Sequence, residues 1–518
     1  MKTEIFKCIL RTVAPVHIGC DEVYEPTGFF VDKERACLIV FDPLDFIAGL
    51  EPTDKERFSS ICKKGTVESI LEIYKFLRNH PVQGRPVKAC PDFVKHYEQV
   101  LSLSGNKIRK ELNQFIIERT AFIPSDQRPY IPGSAVKGAL RTAYLNMLAE
   151  NGPDLRSYLR SIKPRKGSKD DRHKKLEQKL LELDHVPNRE KISKDPFRLI
   201  KVSDFMPVGE VGTKIFYAIN KKKKPSDKEP NGPYQILEAV MPGAVFTGEI
   251  RIEIPGGSHL EKEAVSRPIS LKKLLNSLDL FFGEQKIREN GELRNIGIPT
   301  TDTGEKGTGH LIRIGRHSGA ESVTIKKYRD IKIMLGRKGK TFLDHATTLW
   351  LASDFRDPKG NKSLSPYGWA LLSSVTREDE TRLTEKEKDF QERRVQQMRE
   401  MEEKQKARDL EREKKRQQAL EKKRLEEEKK KEEERLKAEL EAMTPEERAI
   451  WELQNPQIDQ NRVYEIFREL DEFSEEAKQK AAELLKDIWI KEGKWKKKDC
   501  SKKQWEKVQV LKKILGEN

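Results

Sequence analysis

Apolar and polar residues alternate along the first 376 residues with the period of a β-strand in some segments and of a helix in others. The first segment, residues 3–16, places Phe6, Cys8, Leu10 and Ala14 on its more apolar face. The two periods together predict an α+β fold. Strands are expected over 3–16, 199–204, 235–240, 244–254, 311–314, 347–352 and 369–375, a hairpin over 27–41, and helices over 54–80, 92–104 and 271–282.

Three segments interrupt this pattern. Residues 154–194 are polar and basic, and indicate a partly helical insertion or a mobile segment. Residues 220–233 contain four consecutive lysines and three prolines, which favours a loop. Residues 302–319 are rich in glycine, and their spacing fits neither a dinucleotide-binding nor a kinase motif. These glycines let backbone approach backbone or a ligand, or they simply form tight turns without a ligand.

Residues 128–143 carry the most specific local pattern. Tyr130 and Ile131 suit the end of a strand, and Pro132-Gly133 suits a tight turn. Ser134 is expected to be the N-cap of the helix that follows. The apolar face of that helix is formed by Val136, Leu140, Ala143 and Met147, and it is expected to end near 151–153.

The polar face of this predicted helix is a candidate phosphate site. Lys137 and Arg141 lie four residues apart, and Gly138 leaves no side chain between them. A helix N-terminus beside two cations is favourable for an anion. Ala139 stands where a P-loop needs its lysine, so a nucleoside triphosphate is not expected. An ordinary amphipathic helix with solvated Lys and Arg fits the same residues.

The chain changes character after about residue 378. Up to 442 it lacks Pro and Gly and alternates Glu, Lys and Arg without a steady heptad, which predicts a long solvated helix, with a coiled coil as the alternative. Thr444-Pro445 then starts a small helical module. Its lysines at 494, 496–498 and 502–503 indicate either contact with a polyanion or a solvated helix end. The expected domains are 1–376, 377–443 and 444–518.

The net charge of +16 lies entirely in the part expected to be globular. Residues 377–518 contain 38 Lys and Arg and 38 Asp and Glu, so residues 1–376 hold the whole excess. A basic folded surface favours nucleic acid as a partner, although basic composition also serves solubility.

The composition limits the cellular compartment in which the protein is expected and the cofactors that it is expected to use. The six cysteines show neither zinc-ligand spacing nor close pairs, and are expected to be reduced thiols. No secretory leader and no apolar run of about 18 residues is present, so a soluble cytoplasmic protein without membrane contact is expected. No metal and no cofactor is expected.

Histidines and carboxylates give a weaker case for catalysis. His17 follows the first strand and could contact RNA or act as a general acid or base, but a lone histidine at a strand end is more often structural or simply exposed. Carboxylates at Asp21, Asp32, Asp42 and Asp45 would be needed near bound phosphate for metal-assisted cleavage. A metal-dependent endoribonuclease therefore stays open as an alternative, as does a scaffold that uses the long helix.

Several segments, in order, resemble the RAMP superfamily of CRISPR effector proteins, and in particular subunits of type III-A (Csm) complexes. The resemblance rests on Val13–Gly19, Tyr24–Pro26, Tyr130–Arg141, Asp195–Arg198 with Val202–Asp204, Leu237–Gly243, the glycines up to Gly319, and Pro366–Trp369. It covers roughly residues 1–376. The long helix and the module after Thr444 exceed the usual length of the family.

The resemblance implies a ferredoxin-like (RRM-like) fold with insertions. It implies a subunit that caps one end of the complex near the 3′ end of the CRISPR RNA and supports maturation of that RNA and assembly. The implied partners are CRISPR RNA, other Csm subunits and host nucleases. The implied RNA-facing residues are Ser134, Lys137, Gly138, Arg141, His17, Arg313, Arg316 and Ser318, with no catalytic residue among them.

Overall fold

The computed structural model describes residues 2–105, 107–162, 171–226, 232–254, 265, 268–301, 309–335, 339–361 and 363–517. Parts of the three interrupting segments lie outside the described residues, namely 163–170, 227–231 and 302–308. The chain separates into two compact units, Met1–Val395 and Gln396–Asn518. The first unit mixes strands and helices, as expected for an α+β fold, and the described part of the second is helical.

The strands all lie in the first unit. In chain order they are β1 (Lys2–Thr12), β2 (Gly19–Val23), β3 (Phe29–Asp32), β4 (Cys37–Val40), β5 (Arg85–Ala89), β6 (Ile117–Thr120), β7 (Ile200–Val202), β8 (Met206–Pro207), β9 (Thr213–Lys222), β10 (Gln235–Val240), β11 (Val245–Ile254), β12 (His310–Arg313), β13 (Ile331–Met334), β14 (Lys340–Leu343), β15 (Thr348–Ser353), β16 (Leu364–Pro366) and β17 (Trp369–Ser374).

The helices are numbered through both units. They are α1 (Pro43–Ala48), α2 (Pro52–Lys63), α3 (Val67–Asn79), α4 (Pro91–Leu101), α5 (Lys107–Leu112), α6 (Gly133–Asn151), α7 (Arg156–Ser161), α8 (Arg172–Leu180), α9 (Lys191–Lys194), α10 (Leu271–Asn295), α11 (Arg377–Ala442), α12 (Pro445–Gln454), α13 (Gln460–Glu469), α14 (Glu475–Lys491) and α15 (Lys502–Ile514).

The first sheet carries the main core. Its strand order is β12-β17-β1-β11-β7, with β8 paired to β11. Cys8 and Leu10 are fully buried on the inner face of β1, as the alternation predicts, and they join Phe246 and Ile250 of β11. Helices α6 and α10 cover this face. The position of β7 at the edge of the sheet places α6 beside an unpaired strand edge.

The second sheet follows the order β2-β6-β10-β9-β5-β4-β3, and β15 pairs with β9. The predicted hairpin at 27–41 forms as β3 and β4, with Phe29 opposite Val40. Helices α3 and α4 pack on this sheet and bury Tyr74 and Phe93. β13 and β14 form a separate two-stranded ribbon.

Several predicted elements differ in extent. The first strand ends at Thr12, before Pro15, which has no amide hydrogen to donate. The helix expected over 54–80 is two helices, because Gly65 takes a φ of +59° and Thr66 caps the second helix by accepting from Ser69 N. β5 was missed by the pattern. The helix expected to end at 282 continues to Asn295, since burial of residues such as Leu293 outweighs the two internal glycines.

The first unit extends beyond residue 376 because the start of α11 packs on the first sheet. Leu383 joins Ile9 and Val208 in a small buried cluster. Glu387 accepts from Arg128 Nη1 at 3.0 Å, and Arg128 lies 4.5 Å from the ring of Phe390. The division between the compact units therefore falls inside α11 and not at its start.

The second unit contains the rest of α11 and a module with a core of its own. Fully buried members of that core include Ile466, Leu485, Trp489 and Leu511. The helix start predicted at Thr444 is confirmed as a capping box, in which Thr444 and Glu447 bond each other's backbone amides.

Candidate nucleic-acid interface

The turn at Pro132-Gly133 is held against the segment that follows β7. Ile131 and Phe205 exchange backbone hydrogen bonds of 3.1 and 2.8 Å. Gly133 is required here, because a Cβ would lie 2.4 Å from Val202 O and 2.6 Å from Ser203 O. Gly133 N donates to Asp204 Oδ1 at 2.8 Å. The predicted turn therefore exists, and its glycine makes close packing with the edge strand possible.

The prediction that Ser134 caps this helix is wrong. The helix begins at Gly133, its N-cap position is Pro132, and no side chain at that position bonds the first turn. The carboxylate that accepts from the first amide of the helix belongs to Asp204, which lies 71 residues further along the chain. Ser134 is exposed in the first turn. Sequence spacing missed Asp204 because the contact depends on how the segment after β7 crosses the helix N-terminus.

Lys137, Gly138 and Ser134 form an accessible surface together with Lys201 of β7, and we refer to these four residues as the edge patch. Ser134, Gly138 and Lys201 are exposed and Lys137 is half-buried. The space around Gly138 is open, since a Cβ there would meet no described atom within 4 Å. Burial and the nearby charge of Lys201 lower the pKa of Lys137. Unlike-charged partners for these two lysines are absent from the ion pairs of the described residues.

Arg141 does not belong to this open surface. Its Nη1 lies 2.9 Å from Asp195 Oδ2, and its Nε and Nη2 donate to Glu177 Oε2 at 3.1 Å. The guanidinium also lies 5.0 Å from the ring centre of Phe197. Two carboxylates therefore neutralise Arg141, and it ties α6 to the insertion. That Arg141 faces RNA therefore stays a prediction, and in this structure its guanidinium is paired within the fold.

His17 is also in the interior. Its side chain is fully buried and its Nδ1 lies 2.7 Å from Glu238 O, so Nδ1 donates a hydrogen bond to that carbonyl. Burial lowers the pKa of His17 and so favours the neutral ring, whose single N–H is on Nδ1 because that atom faces the Glu238 carbonyl. A side chain without solvent access cannot reach a phosphate, so the structural role is the one that the geometry supports for His17.

The loop after β12 closes over the same histidine. Arg316 N donates to His17 O at 2.9 Å, and Gly315, at φ +84°, would place a Cβ 2.4 Å from that oxygen. Arg316 is the exposed member of this group, and its guanidinium pairs with Glu118. The glycines at this end of the run therefore allow backbone to approach backbone, which is one of the alternatives that the sequence left open.

Arg313 and Ser318 are buried behind this loop. Arg313 is 5% exposed, its Nη2 lies 2.6 Å from Glu289 Oε1, and its Nε donates to Tyr367 O at 2.9 Å. Ser318 Oγ donates to Gly315 O at 2.9 Å. The polar groups of these two residues bond within the fold, and their contact with RNA stays a prediction without support from this geometry. Of the eight predicted residues, the structure places Ser134, Lys137 and Gly138 on one open surface and leaves Arg316 exposed elsewhere.

Within the ranges that the structure describes, no three His, Cys, Asp or Glu side chains come together as a metal site would require. In the same ranges, no helix combines the length and apolar character of a membrane span. All six cysteines are free thiols, and Cys8, Cys37 and Cys90 are buried.

Comparison with known proteins defines the class. The model of the RAMP superfamily matches residues 9–294, which is more than half of the chain. The chain therefore belongs to the RAMP superfamily, as the ordered motifs indicated.

Within that class the chain is similar to Csm5 proteins. It is 29% identical over 212 residues to the CRISPR system protein Csm5 of Methanocaldococcus jannaschii, and the match covers 38% of this chain and 41% of that protein. Two solved structures are also similar. A chain of a type III-A Csm–crRNA–target RNA ternary complex has 18% identity and a TM-score of 0.46, covering 71% of this chain and 100% of that one. The crystal structure of T. onnurineus Csm5 has 17% identity and a TM-score of 0.42, covering 70% and 99%.

Proposed function

We propose that the chain is a non-catalytic RNA-binding subunit of a type III-A CRISPR effector complex. In this proposal the edge patch contacts the phosphate backbone of a CRISPR RNA. The observation that carries it is the pair Lys137 and Lys201, two cations of the described structure without an ion-pair partner beside the open surface at Gly138. Membership of the RAMP superfamily and similarity to Csm5 support it.

The finer parts of the proposal follow from the same similarity. We infer a ferredoxin-like core within residues 1–376, followed by the long charged helix over 377–443 and the module over 444–518. The RAMP region would lie at one end of the complex near the 3′ end of the guide, in the cytoplasm. There it would support guide maturation and assembly with other Csm subunits, and it would meet host nucleases.

The electrostatics of the edge patch favour phosphate over a specific base. Lysine ammonium groups bind phosphate oxygens as point charges and do not select sequence. Gly133 N already donates a hydrogen bond to Asp204, so the first amide of the helix is not available to bind RNA. We therefore expect contact along the outer side of the helix start, where Ser134, Lys137 and Gly138 face solvent.

The test is the salt dependence of RNA binding. We change Lys137→Glu and Lys201→Glu together in the full chain and measure binding of a guide-length single-stranded RNA by fluorescence anisotropy across a NaCl series. Loss of two phosphate contacts is expected to make the slope of log K against log salt shallower by about 1.4. Affinity is expected to fall by roughly tenfold or more at low salt.

The matched control carries the same change of net charge elsewhere in the first unit. Lys63 and Lys75 are exposed lysines of α2 and α3, and both become Glu in the control. The control is expected to keep the wild-type slope. Equal losses in the two double variants would mean that only overall charge matters, and an unchanged slope for the Lys137 and Lys201 variant would refute the interface.

A further inference from the structure

The helical module of the second unit has a strong separation of charge along its sequence. Residues 444–490 contain 6 Lys and Arg against 12 Asp and Glu, whereas residues 491–513 contain 10 Lys against 3 Asp and Glu. The neutral total of the last 142 residues therefore conceals an acidic part and a basic part. The basic part is formed by the end of α14, the turn after it and α15.

Carboxylates of the acidic part are bound within the module. Glu452, Glu465 and Glu469 surround Arg462, with distances of 2.6, 3.2 and 3.1 Å to its guanidinium. These hydrogen bonds raise the pKa of Arg462. Glu446 accepts from Ser474 Oγ at 2.6 Å. These groups are therefore engaged in holding α12, α13 and α14 together and do not neutralise the basic part.

The lysines of the basic part are mostly left without carboxylates. Lys494 lies 2.8 Å from Glu492. Lysines 496–498 and 502–503 are exposed, and none of them takes part in an ion pair among the described residues. Five cations thus lie within eight residues, and Asp499 is the single acidic residue in that stretch.

The backbone beneath these lysines is held by the module core. Trp495 and Trp505 pack against that core from either side of the turn. Ser501 Oγ accepts from Gln504 N and caps α15. Lys507 Nζ lies 4.0 Å from the ring centre of Tyr464. A rigid support means that little conformational freedom of the backbone is lost when the lysines bind a ligand.

An identical lysine triplet elsewhere in the unit shows what is distinctive here. Lys429, Lys430 and Lys431 of α11 are also exposed. Residues 426–428 and 432–434 on either side of them are all Glu. Both α11 and the turn between α14 and α15 are rich in lysine. In α11, however, carboxylates alternate with the lysines and cancel their electrostatic field locally.

We propose that the turn between α14 and α15 is a second nucleic-acid site, which binds the phosphate backbone through lysines 496–498 and 502–503. Nucleic acid is favoured over a protein partner because protein interfaces are depleted in lysine and depend on buried aromatic or arginine anchors. The tryptophans beside this turn are committed to the module core instead. This site lies outside the RAMP region and does not depend on the edge patch.

The experiment uses the full chain and the triple variant K496E/K497E/K498E. The control is K429E/K430E/K431E, which changes the net charge by the same amount on α11. Both triplets are introduced into the wild-type chain and into the Lys137→Glu, Lys201→Glu background. Binding of a 30-nucleotide uridine RNA, and of a DNA of equal length, is measured by anisotropy across a NaCl series, and circular dichroism verifies folding.

The expected result is a slope shallower by about 2 and an affinity at least tenfold lower for the 496–498 variant in both backgrounds, with the control unchanged. DNA arms distinguish a site for RNA alone from one for any phosphate backbone. Equal behaviour of variant and control would overturn the proposal. If only the Lys137 and Lys201 changes weaken RNA binding, the edge patch is supported and the site at the turn between α14 and α15 is refuted. If only the changes at 496–498 weaken binding, this second site is supported and the edge patch is refuted.

Discussion

Replacement of Glu289 by Gln tests the buried ion pair that holds the Arg313 side chain inside the fold. The side chains of Arg313 and Glu289 are 3% and 1% exposed, and their charged atoms lie 2.6 Å apart. Trp369 Nε1 donates to the other carboxylate oxygen at 2.6 Å. Glutamine keeps an acceptor for Trp369 and nearly the same volume, so the substitution mainly removes the charge.

The cost follows from leaving a buried cation without its counter-ion. Arg313 would keep its hydrogen bond to Tyr367 O at 2.9 Å, which bears only a partial charge. Breaking a buried ion pair from one side typically costs about 3–5 kcal/mol of unfolding free energy. Because neutral acceptors remain at Tyr367 O and Ser322 Oγ, we expect about 3 kcal/mol for E289Q.

The assay is urea unfolding of the full chain, followed by hydrogen exchange of peptides that contain β17. A local probe is needed because the two compact units need not unfold together. The double variant R313M/E289Q removes both charges and is expected to regain at least about 1 kcal/mol relative to E289Q. It should also retain RNA binding under native conditions.

Two outcomes would refute this reasoning. A loss below about 1 kcal/mol for E289Q would mean that Arg313 is not held by this carboxylate in solution. A double variant that folds normally yet loses RNA affinity would restore Arg313 as an RNA contact and overturn its structural assignment.

Three further outcomes are expected. Gly133→Ala should destabilise the first unit by about 1–3 kcal/mol through its clash with the edge-strand carbonyls, whereas Gly138→Ala in the same helix should stabilise it by up to about 1 kcal/mol, both by urea unfolding. Burial lowers the pKa of His317 to about 3, so the free energy of unfolding should fall as pH drops below about 6.5, by about 2 kcal/mol at pH 5. Asparagine tolerates the φ of +61° at this position, so His317→Asn should remove that part of the pH dependence. His185→Asn, at an exposed site, is the control and should not remove it. Thr444→Ala should cost about 1 kcal/mol in the second unit by loss of the capping box, measured by calorimetry.

Much of the local structure follows from the sequence because its causes are local. Alternation along residues 3–12 places Cys8 and Leu10 inside, and the hairpin at 27–41 depends on two short apolar runs around a polar turn. Thr444 and Glu447 cap a helix at a fixed spacing. β5 escaped prediction because its position depends on pairing with β4 and β9, which lie far away in sequence.

The candidate site was predicted only in part, for the same reason. Gly138 and Lys137 were found from helical spacing, and the structure leaves both accessible. Lys201 was missed because no local sequence pattern around a lysine on a short strand shows that the strand will lie at the edge of the sheet beside α6. Arg141 and Arg313 have the residue type expected of an RNA contact, but their roles depend on carboxylates at Glu177, Asp195 and Glu289.

The sequence by itself determined the class of elements, the turn at Pro132-Gly133, the confinement of excess charge to residues 1–376 and the family. The tertiary structure alone decided which cations are neutralised and which remain open, and it carried the first unit past residue 376 onto the start of α11. The physical reason is that helical and strand periods are set by the backbone within a few residues, whereas the effective charge of an arginine or lysine depends on partners that only folding brings within about 4 Å.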